Sequence, residues 1–487
     1  MSIRIATRHA LVAIVMSYFV LGVLYAVFTP LWEAPDEPAH FNYVKYITEN
    51  SRLPVLQVGD YDQSYLKAIV SRQFPPGMSI DPLRYESHQP PLYYLLTAPL
   101  YQLTDSVLVL RVFSVVLGAL LILVAYGVAA TIFPTDTFMP LATAAGVAFV
   151  PQHVAMTAAV NNDALAELLL ALVIWQSLRI MNGRNRRQEC LALGFLIGLC
   201  LLTKTTAYVA IPLALCAILL TPGSVAPGRR RRLVQVLSWI FLPALLLAGP
   251  WLVRNALVYG ANDLLALGRH SQVVTGQPRT AEWLAQYGMQ GYLSRFALTT
   301  FRSFWAQFGW MGVLVDERIY IALALTSAAM MGGLAFFLAR ACHEPNLLSD
   351  SQRRALVLLL LSIMFTAIAY LWYNLGFVQH QGRYLFPALT ALSIFGALGA
   401  REVLRPKPAR MIAALGCMTV AVLALWGMAR DDIGGWAIAM LGGLSVGFAV
   451  ISALPERARP VVLGLGYLAL AVLDVVCLFG FVVPAFA

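Results

Sequence analysis

Charge is what this sequence has least of. Only 12% of its 487 residues are Asp, Glu, Lys or Arg, while 60% are hydrophobic and mean hydropathy is +0.73. A soluble protein carries about a quarter charged residues, and so few charges could not cover this much apolar side chain in water. The shortage excludes a soluble enzyme, a nucleic-acid-binding protein and a disordered scaffold. Cysteine is scarce as well. Cys190, Cys200, Cys216, Cys342, Cys417 and Cys477 show no paired or CxxC spacing and lie mostly in apolar runs, which argues against a disulfide framework or a zinc ribbon. A Walker loop, a GxGxxG after a strand, HExxH and GxSxG are all missing, so nucleotide use, zinc proteolysis and serine hydrolysis have no support. What remains is an all-α polytopic membrane protein, with lipid in place of water around its apolar surface.

Thirteen apolar runs approach the length of a spanning helix, about 20 residues. They fall near 10–29, 107–132, 138–158, 164–180, 189–203, 206–221, 233–253, 319–339, 355–375, 384–400, 411–428, 434–453 and 461–483. The first follows Arg4 and Arg8 with no small-residue cleavage site after it, so it reads as an uncleaved helix. With the N-terminus in the cytoplasm, the inner loops collect Arg179, Arg184, Arg186, Arg187, Arg229–Arg232, Arg340, Arg353, Arg354, Arg401, Arg405, Lys407, Arg410, Arg457 and Arg459. With Arg4 and Arg8 that is 19 of the 34 basic residues, so the net charge of +10 is a topology signal. Only the inner loop near 132–137 lacks positive charge.

Two outer segments are far longer than connections need. Residues 30–106 carry Asp36, Glu37, His40, His88, many tyrosines and two Pro-Pro pairs; residues 254–318 carry six arginines and an aromatic cluster. Long ordered loops tend to be functional, which places the chemistry on the non-cytoplasmic side. The halves show no internal repeat and no matching broken helices, features expected of many secondary transporters.

Four constellations stand out. Glu33-Ala34-Pro35-Asp36-Glu37-Pro38-Ala39-His40 precedes a predicted amphipathic helix over 38–49 at the membrane surface, with Pro38 suited to its first turn. One of the two adjacent carboxylates could simply favour a helix N-terminus; two at membrane level point to chemistry. Ser87-His88-Gln89-Pro90-Pro91-Leu92-Tyr93-Tyr94 reads either as a polar loop with an interfacial aromatic belt or as part of a site. Asn161-Asn162-Asp163 is either a helix cap or a second acidic element. Arg111, Lys204 and Arg383, with His380 just before the last, put positive charge at outer helix ends, against the inside bias. Each alone could snorkel to headgroups; three at one depth suggest a phosphate partner.

Together these features have one known setting. The acidic pair after the first helix, the amphipathic first outer loop, the His88-Gln89-Pro90-Pro91-Leu92-Tyr93-Tyr94 stretch and Arg111 near the start of the second helix resemble the GT-C superfamily of polyprenyl-phosphate-dependent membrane glycosyltransferases. Protein O-mannosyltransferases and lipid A aminoarabinose transferases are the similar well-described relatives. The Asp36-Glu37 and Asn161-Asn162-Asp163 elements and Gln381-Gly382-Arg383-Tyr384-Leu385-Phe386-Pro387 look like a less characterised bacterial branch. The resemblance covers roughly residues 10–400, a catalytic membrane module, and leaves 401–487 as further spans of unassigned role.

The resemblance implies a multi-pass protein of the inner (plasma) membrane that takes a sugar from a polyprenyl-phosphate donor and passes it, with inversion, to an acceptor: polysaccharide, lipid or protein. Asp36 would be the general base and Glu37 would position base or acceptor, or the two roles are reversed. Arg383, Lys204 and Arg111 would hold the donor phosphate. His40, His88, Gln89, Tyr93, Asn162, Asp163 and His380 would surround the substrates. No cofactor is expected; a divalent ion held by Asp36, Glu37, His40, His88 and Asp163 is the minor option. Rival readings are a flippase or transporter of a lipid-linked sugar, for which a base has little use, and an oligosaccharide polymerase or ligase working through the 254–318 loop.

Overall fold

A computed structural model describes residues 2–183, 187–222, 230–430 and 435–487. The inner-loop residues Arg184, Arg186 and Arg229 lie outside the described residues. Every predicted apolar run is helical. In chain order the helices are α1 (Ser2–Phe28), α2 (Glu37–Asn50), α3 (Gln63–Ser71), α4 (Leu92–Thr104), α5 (Val107–Ile132), α6 (Phe138–Ala148), α7 (Pro151–Thr157), α8 (Asp163–Met181), α9 (Arg187–Leu201) and α10 (Ala210–Leu220). They continue with α11 (Arg230–Tyr259), α12 (Leu267–Val273), α13 (Thr280–Trp305), α14 (Glu317–His343), α15 (Asp350–Gly376), α16 (Leu389–Val403), α17 (Pro406–Arg430), α18 (Gly435–Ala453) and α19 (Arg459–Cys477).

Thirteen runs do not become thirteen full-length spans. Among the described residues, ten helices are long and apolar enough to cross a membrane, and α6 with α7 makes an eleventh if a pair bent by 65° counts as one. Proline causes the bend. Pro151 opens α7, and Val150 before it takes an extended backbone (φ −94, ψ 111), because a residue preceding proline is pushed out of the helical region. The runs at 189–203 and 206–221 are short helices joined by a tight turn and a 3-10 segment, Thr205–Val209.

The apolar core lies where α1, α5, α6, α8 and α16 meet, with α9 against α11 and α14 against α16. Helices α17 and α18 pack mainly on each other at the periphery. Helix α19 returns to the core, where the Tyr25 hydroxyl donates to the Asp474 carbonyl at 3.0 Å.

Both long segments between the apolar runs, 30–106 and 254–318, fold into ordered structure. Helix α2 begins near the predicted point, but its first eight residues, Glu37–Val44, are all buried. It packs on α4, with the Tyr43 and Tyr94 rings stacked at 3.7 Å. The surface-lying helix expected from its pattern is therefore half interior. The second segment contains α12, α13 and a two-stranded antiparallel ribbon, β1 (Gln307–Phe308) with β2 (Val313–Leu314).

Candidate active site

The turn after α1 sets up the site. Asp36 occupies the N-cap position of α2 in a left-handed conformation (φ 67, ψ −5). Aspartate visits this region more readily than most residues, yet such a backbone costs on the order of 1–3 kcal/mol and persists only where its surroundings hold it. Here they do. The Tyr85 hydroxyl donates to Asp36 Oδ1 at 2.9 Å, and the Arg383 guanidinium donates to Oδ2. Burial by itself would raise the Asp36 carboxyl; the Arg383 charge and hydrogen bond overcome it and hold the group below its usual range. Asp36 is 24% exposed and Arg383 7%, so the pair borders an opening while most of it is enclosed.

Arg383 is delivered by the stretch between α15 and α16. Gly382 is required there because a Cβ would come within 2.3 Å of the Phe304 nitrogen and the Thr300 carbonyl oxygen. The close approach at this glycine is to the backbone of α13. The Ser303 hydroxyl accepts from Gly382 N at 2.7 Å. His380, expected beside the substrate, lies instead in a cage of Trp283, Tyr292 and Phe296, with ring centroids 5.5, 5.0 and 5.1 Å away. Burial pushes its imidazole down to about 4. It anchors the loop that presents Arg383.

Lys204 arrives in the turn between α9 and the 3-10 segment, and its ammonium lies 2.6 Å from Asp163 Oδ1 at the start of α8. Two bonds hold that turn: Leu92 N donates to Leu202 O at 2.8 Å, and the Asn162 amide donates to Thr203 O at 3.1 Å. His40 joins the same cluster. Its Nδ1 lies 2.8 Å from the Tyr94 hydroxyl, within electrostatic reach of Glu86, Lys204, Asp36 and Asp163. Burial outweighs the neighbouring carboxylates and lowers its affinity for a proton.

The other expected residues go elsewhere. Glu37 is 0% exposed, gripped by Arg111 through Nε at 2.7 Å and Nη2 at 2.6 Å. It also accepts from the backbone of Trp32 at 3.1 Å and Val160 at 3.0 Å. Arg111 gives its remaining N–H groups to the carbonyls of Ala26, Thr29 and Pro30. A guanidinium has five N–H donors, and all five are engaged, which leaves none for a phosphate. Tyr93 serves the same scaffold: its hydroxyl lies 2.8 Å from Ser114 Oγ and accepts from Asn161 N at 3.2 Å. His88 donates from Nδ1 to the Tyr85 carbonyl at 2.9 Å and faces the His270 ring at 4.6 Å; burial drives it to about 4. The backbone carbonyl of Gln89 accepts from Tyr43 at 3.1 Å, and its side chain lies beside the Glu86 carboxyl.

Glu86 and Tyr85 are cluster residues that drew no expectation from the sequence. Glu86 Oε2 is sealed from solvent without a hydrogen-bond partner, and burial, with Asp36 nearby, raises its carboxyl. Its only sequence signal was its place two residues before His88, as an acid in a tyrosine-rich outer loop. A further buried pair, His153 with Glu167 at 2.9 Å, lies one turn into α8 from Asp163.

Among the described residues no three His, Cys, Asp or Glu side chains converge as metal ligands. Asp36 and Asp163 have cations as partners. An open pocket of about 900 Å³ is bordered by Leu56, Tyr259, Asp263 and Arg269 on the outer loops; none of the clustered charged residues lines it.

Residues 88–253 match the family model described as dolichyl-phosphate-mannose-protein mannosyltransferase. This range contains His88, Arg111, Asp163 and Lys204 but neither Asp36 nor Arg383. No curated protein matches the chain by sequence. The fold is similar to that of ArnT from Cupriavidus metallidurans bound to undecaprenyl phosphate, with TM-score 0.53 and 14% identity over 96% of this chain and 76% of that one. The apo state of the same protein gives TM-score 0.51 and 16% identity over 98% and 77%. An oligosaccharyltransferase from Archaeoglobus fulgidus in its apo form gives TM-score 0.47 and 13% identity over 89% and 56%. The resemblance read from the sequence thus extends to the architecture: this chain is a multi-pass membrane protein with the fold of the GT-C glycosyltransferases.

Proposed function

We propose that the protein is a membrane glycosyltransferase that moves a sugar from a polyprenyl-phosphate donor to an acceptor hydroxyl on the non-cytoplasmic face, with inversion. The observation that carries this reading is the convergence of Asp36, Arg383 and Lys204, three sequence-distant residues, into one partly open charged cluster at helix ends. The match to a mannosyltransferase family model and the likeness to a protein bound to undecaprenyl phosphate support a lipid-phosphate donor.

In this mechanism the acceptor oxygen attacks the anomeric carbon as the bond from that carbon to the phosphate oxygen breaks. The transition state has oxocarbenium character, as in glycoside chemistry. Asp36 takes the acceptor's proton, and Arg383 and Lys204 stabilise the charge that collects on the departing phosphate. Glu37 and Arg111 act as the buried joint that holds the turn bearing Asp36. Apolar grooves between spans take the polyprenyl chain. The location is the inner membrane, with the N-terminus in the cytoplasm.

The test uses purified protein in detergent with an undecaprenyl-phosphate-linked hexose and candidate acceptors. Release of undecaprenyl phosphate that depends on acceptor and on Asp36 is expected. Release that an Asp36→Asn protein performs as well as wild type would overturn the assignment. A reporter near Tyr61 or Thr280 should label from outside the cytoplasm and one near Lys407 from inside; the reverse pattern would put the cluster on the wrong face.

A further inference from the structure

Neither cation of the cluster stands free. Arg383 is bound to Asp36, and Lys204 Nζ is 2.6 Å from Asp163. Both pairs lie at an opening: Asp36 is 24% and Asp163 22% exposed, against 7% for Arg383 and 11% for Lys204. The pairs also sense each other, because Asp163 lies within electrostatic reach of Arg383 as well as Lys204. The two pairs alternate two positive and two negative charges, and burial favours the neutral form of the neighbouring Glu86 carboxyl. Unlike Arg111, Arg383 is not saturated, since its Nε is buried without a partner.

A phosphate that is to be held by Arg383 and Lys204 must therefore compete with two carboxylates already there. Resting on the phosphate reading above, we infer that Asp36 and Asp163 act as built-in counter-ions, and that the donor phosphate binds by displacing them from Arg383 and Lys204. The exchange has a chemical consequence. Once Arg383 turns to the phosphate, Asp36 loses the cation that suppresses its basicity and becomes a better acceptor for the incoming hydroxyl proton. The donor then binds before the acceptor, and the carboxylate is activated only when there is a sugar to transfer. Water entering an unloaded site meets a neutralised Asp36.

This role reverses the usual expectation for a substitution in an active site. Replacing either carboxylate by its amide removes a competitor of similar shape, so binding of a phosphate ligand should become tighter even as turnover is lost. The probe is undecaprenyl phosphate, titrated against the full chain in detergent. Asp36→Asn and Asp163→Asn should each bind it about tenfold more tightly than wild type, the scale of one charge-assisted hydrogen bond. Asp163 is the first residue of α8, where asparagine is also tolerated, so this variant carries the test if Asp36→Asn does not yield folded protein. Arg383→Ala and Lys204→Ala should bind more weakly. If the cation variants lose affinity while the amide variants bind as wild type or worse, the exchange is wrong and the phosphate site stands. If Arg383→Ala and Lys204→Ala both bind as wild type does, the phosphate reading fails and the exchange falls with it.

Discussion

Asp36 and Glu37 are neighbours in sequence and both acidic, and the fold treats them in opposite ways. Glu37 is sealed in a two-pronged pair with Arg111 and accepts two backbone N–H groups besides. Asp36 sits on a strained left-handed backbone, partly open, with one arm each from Arg383 and Tyr85. Three residues upstream, Glu33 is buried with an oxygen that has no partner, and burial raises its carboxyl to about 7. A carboxylate whose hydrogen-bonding capacity is filled by the protein is part of the scaffold. One whose partner is a single displaceable cation at an opening can exchange that partner for a substrate.

The comparison can be broken most forcefully at the saturated pair. Arg111→Ala leaves the Glu37 charge buried and unpaired, which should cost about 3–5 kcal/mol; thermal unfolding of the detergent-solubilised protein should fall sharply. A well-folded Arg111→Ala protein would show that the joint is not structural. Asp36→Asn should do the reverse, leaving the unfolding temperature close to wild type while lowering turnover by about 10²–10⁴. Equal damage to stability and turnover in both variants would erase the distinction between the two carboxylates.

A smaller effect is expected where Arg383 is positioned. Gly382→Ala forces a methyl group against the α13 backbone, so the loop or helix must shift at a cost of about 1–3 kcal/mol. Donor binding should weaken through a displaced Arg383, and unchanged unfolding and binding would disprove the close approach. The smallest effect concerns pH. Glu33 has a raised carboxyl in the folded protein, about 7 against an ordinary 4.5, so the folded state keeps a proton that the unfolded chain has released. Stability should therefore decline as pH rises from about 5 to about 7, because the unfolded state binds fewer protons over that window. In Glu33→Gln the decline should be shallower; identical profiles would mean that Glu33 is solvated.

Much of the architecture was legible because it follows from composition and period. All thirteen apolar runs became helices, and the break at Pro151 had its cause written at that position. Lys204 and Arg383 stood out as positive charges on the wrong side of the topology, and the fold does bring them to one cluster with Asp36 and Asp163. Arg111 carried the same signal and went elsewhere. Nothing in its sequence context shows that five carbonyl and carboxylate oxygens from α1, α2 and their connecting turn would surround it. His380 likewise looked like a ligand-binding histidine, and three aromatic rings from α13 enclose it. Glu86 was overlooked because its importance lies in being near Asp36, His40 and Lys204 in space.

The sequence by itself determined that the chain lives in a membrane, which loops are long enough to fold into structure of their own, and which residue types could do phosphate and proton chemistry there. Those outcomes depend on local charge, hydrophobicity and period, which each segment carries in itself. Only the tertiary structure decided which carboxylate is closed and which is open, which arginine has a donor to spare, and which residues separated by up to 449 positions share one hydrogen bond. The reason is physical: a polar group's chemistry depends on how many of its hydrogen bonds are already made, and those partners come from other parts of the chain.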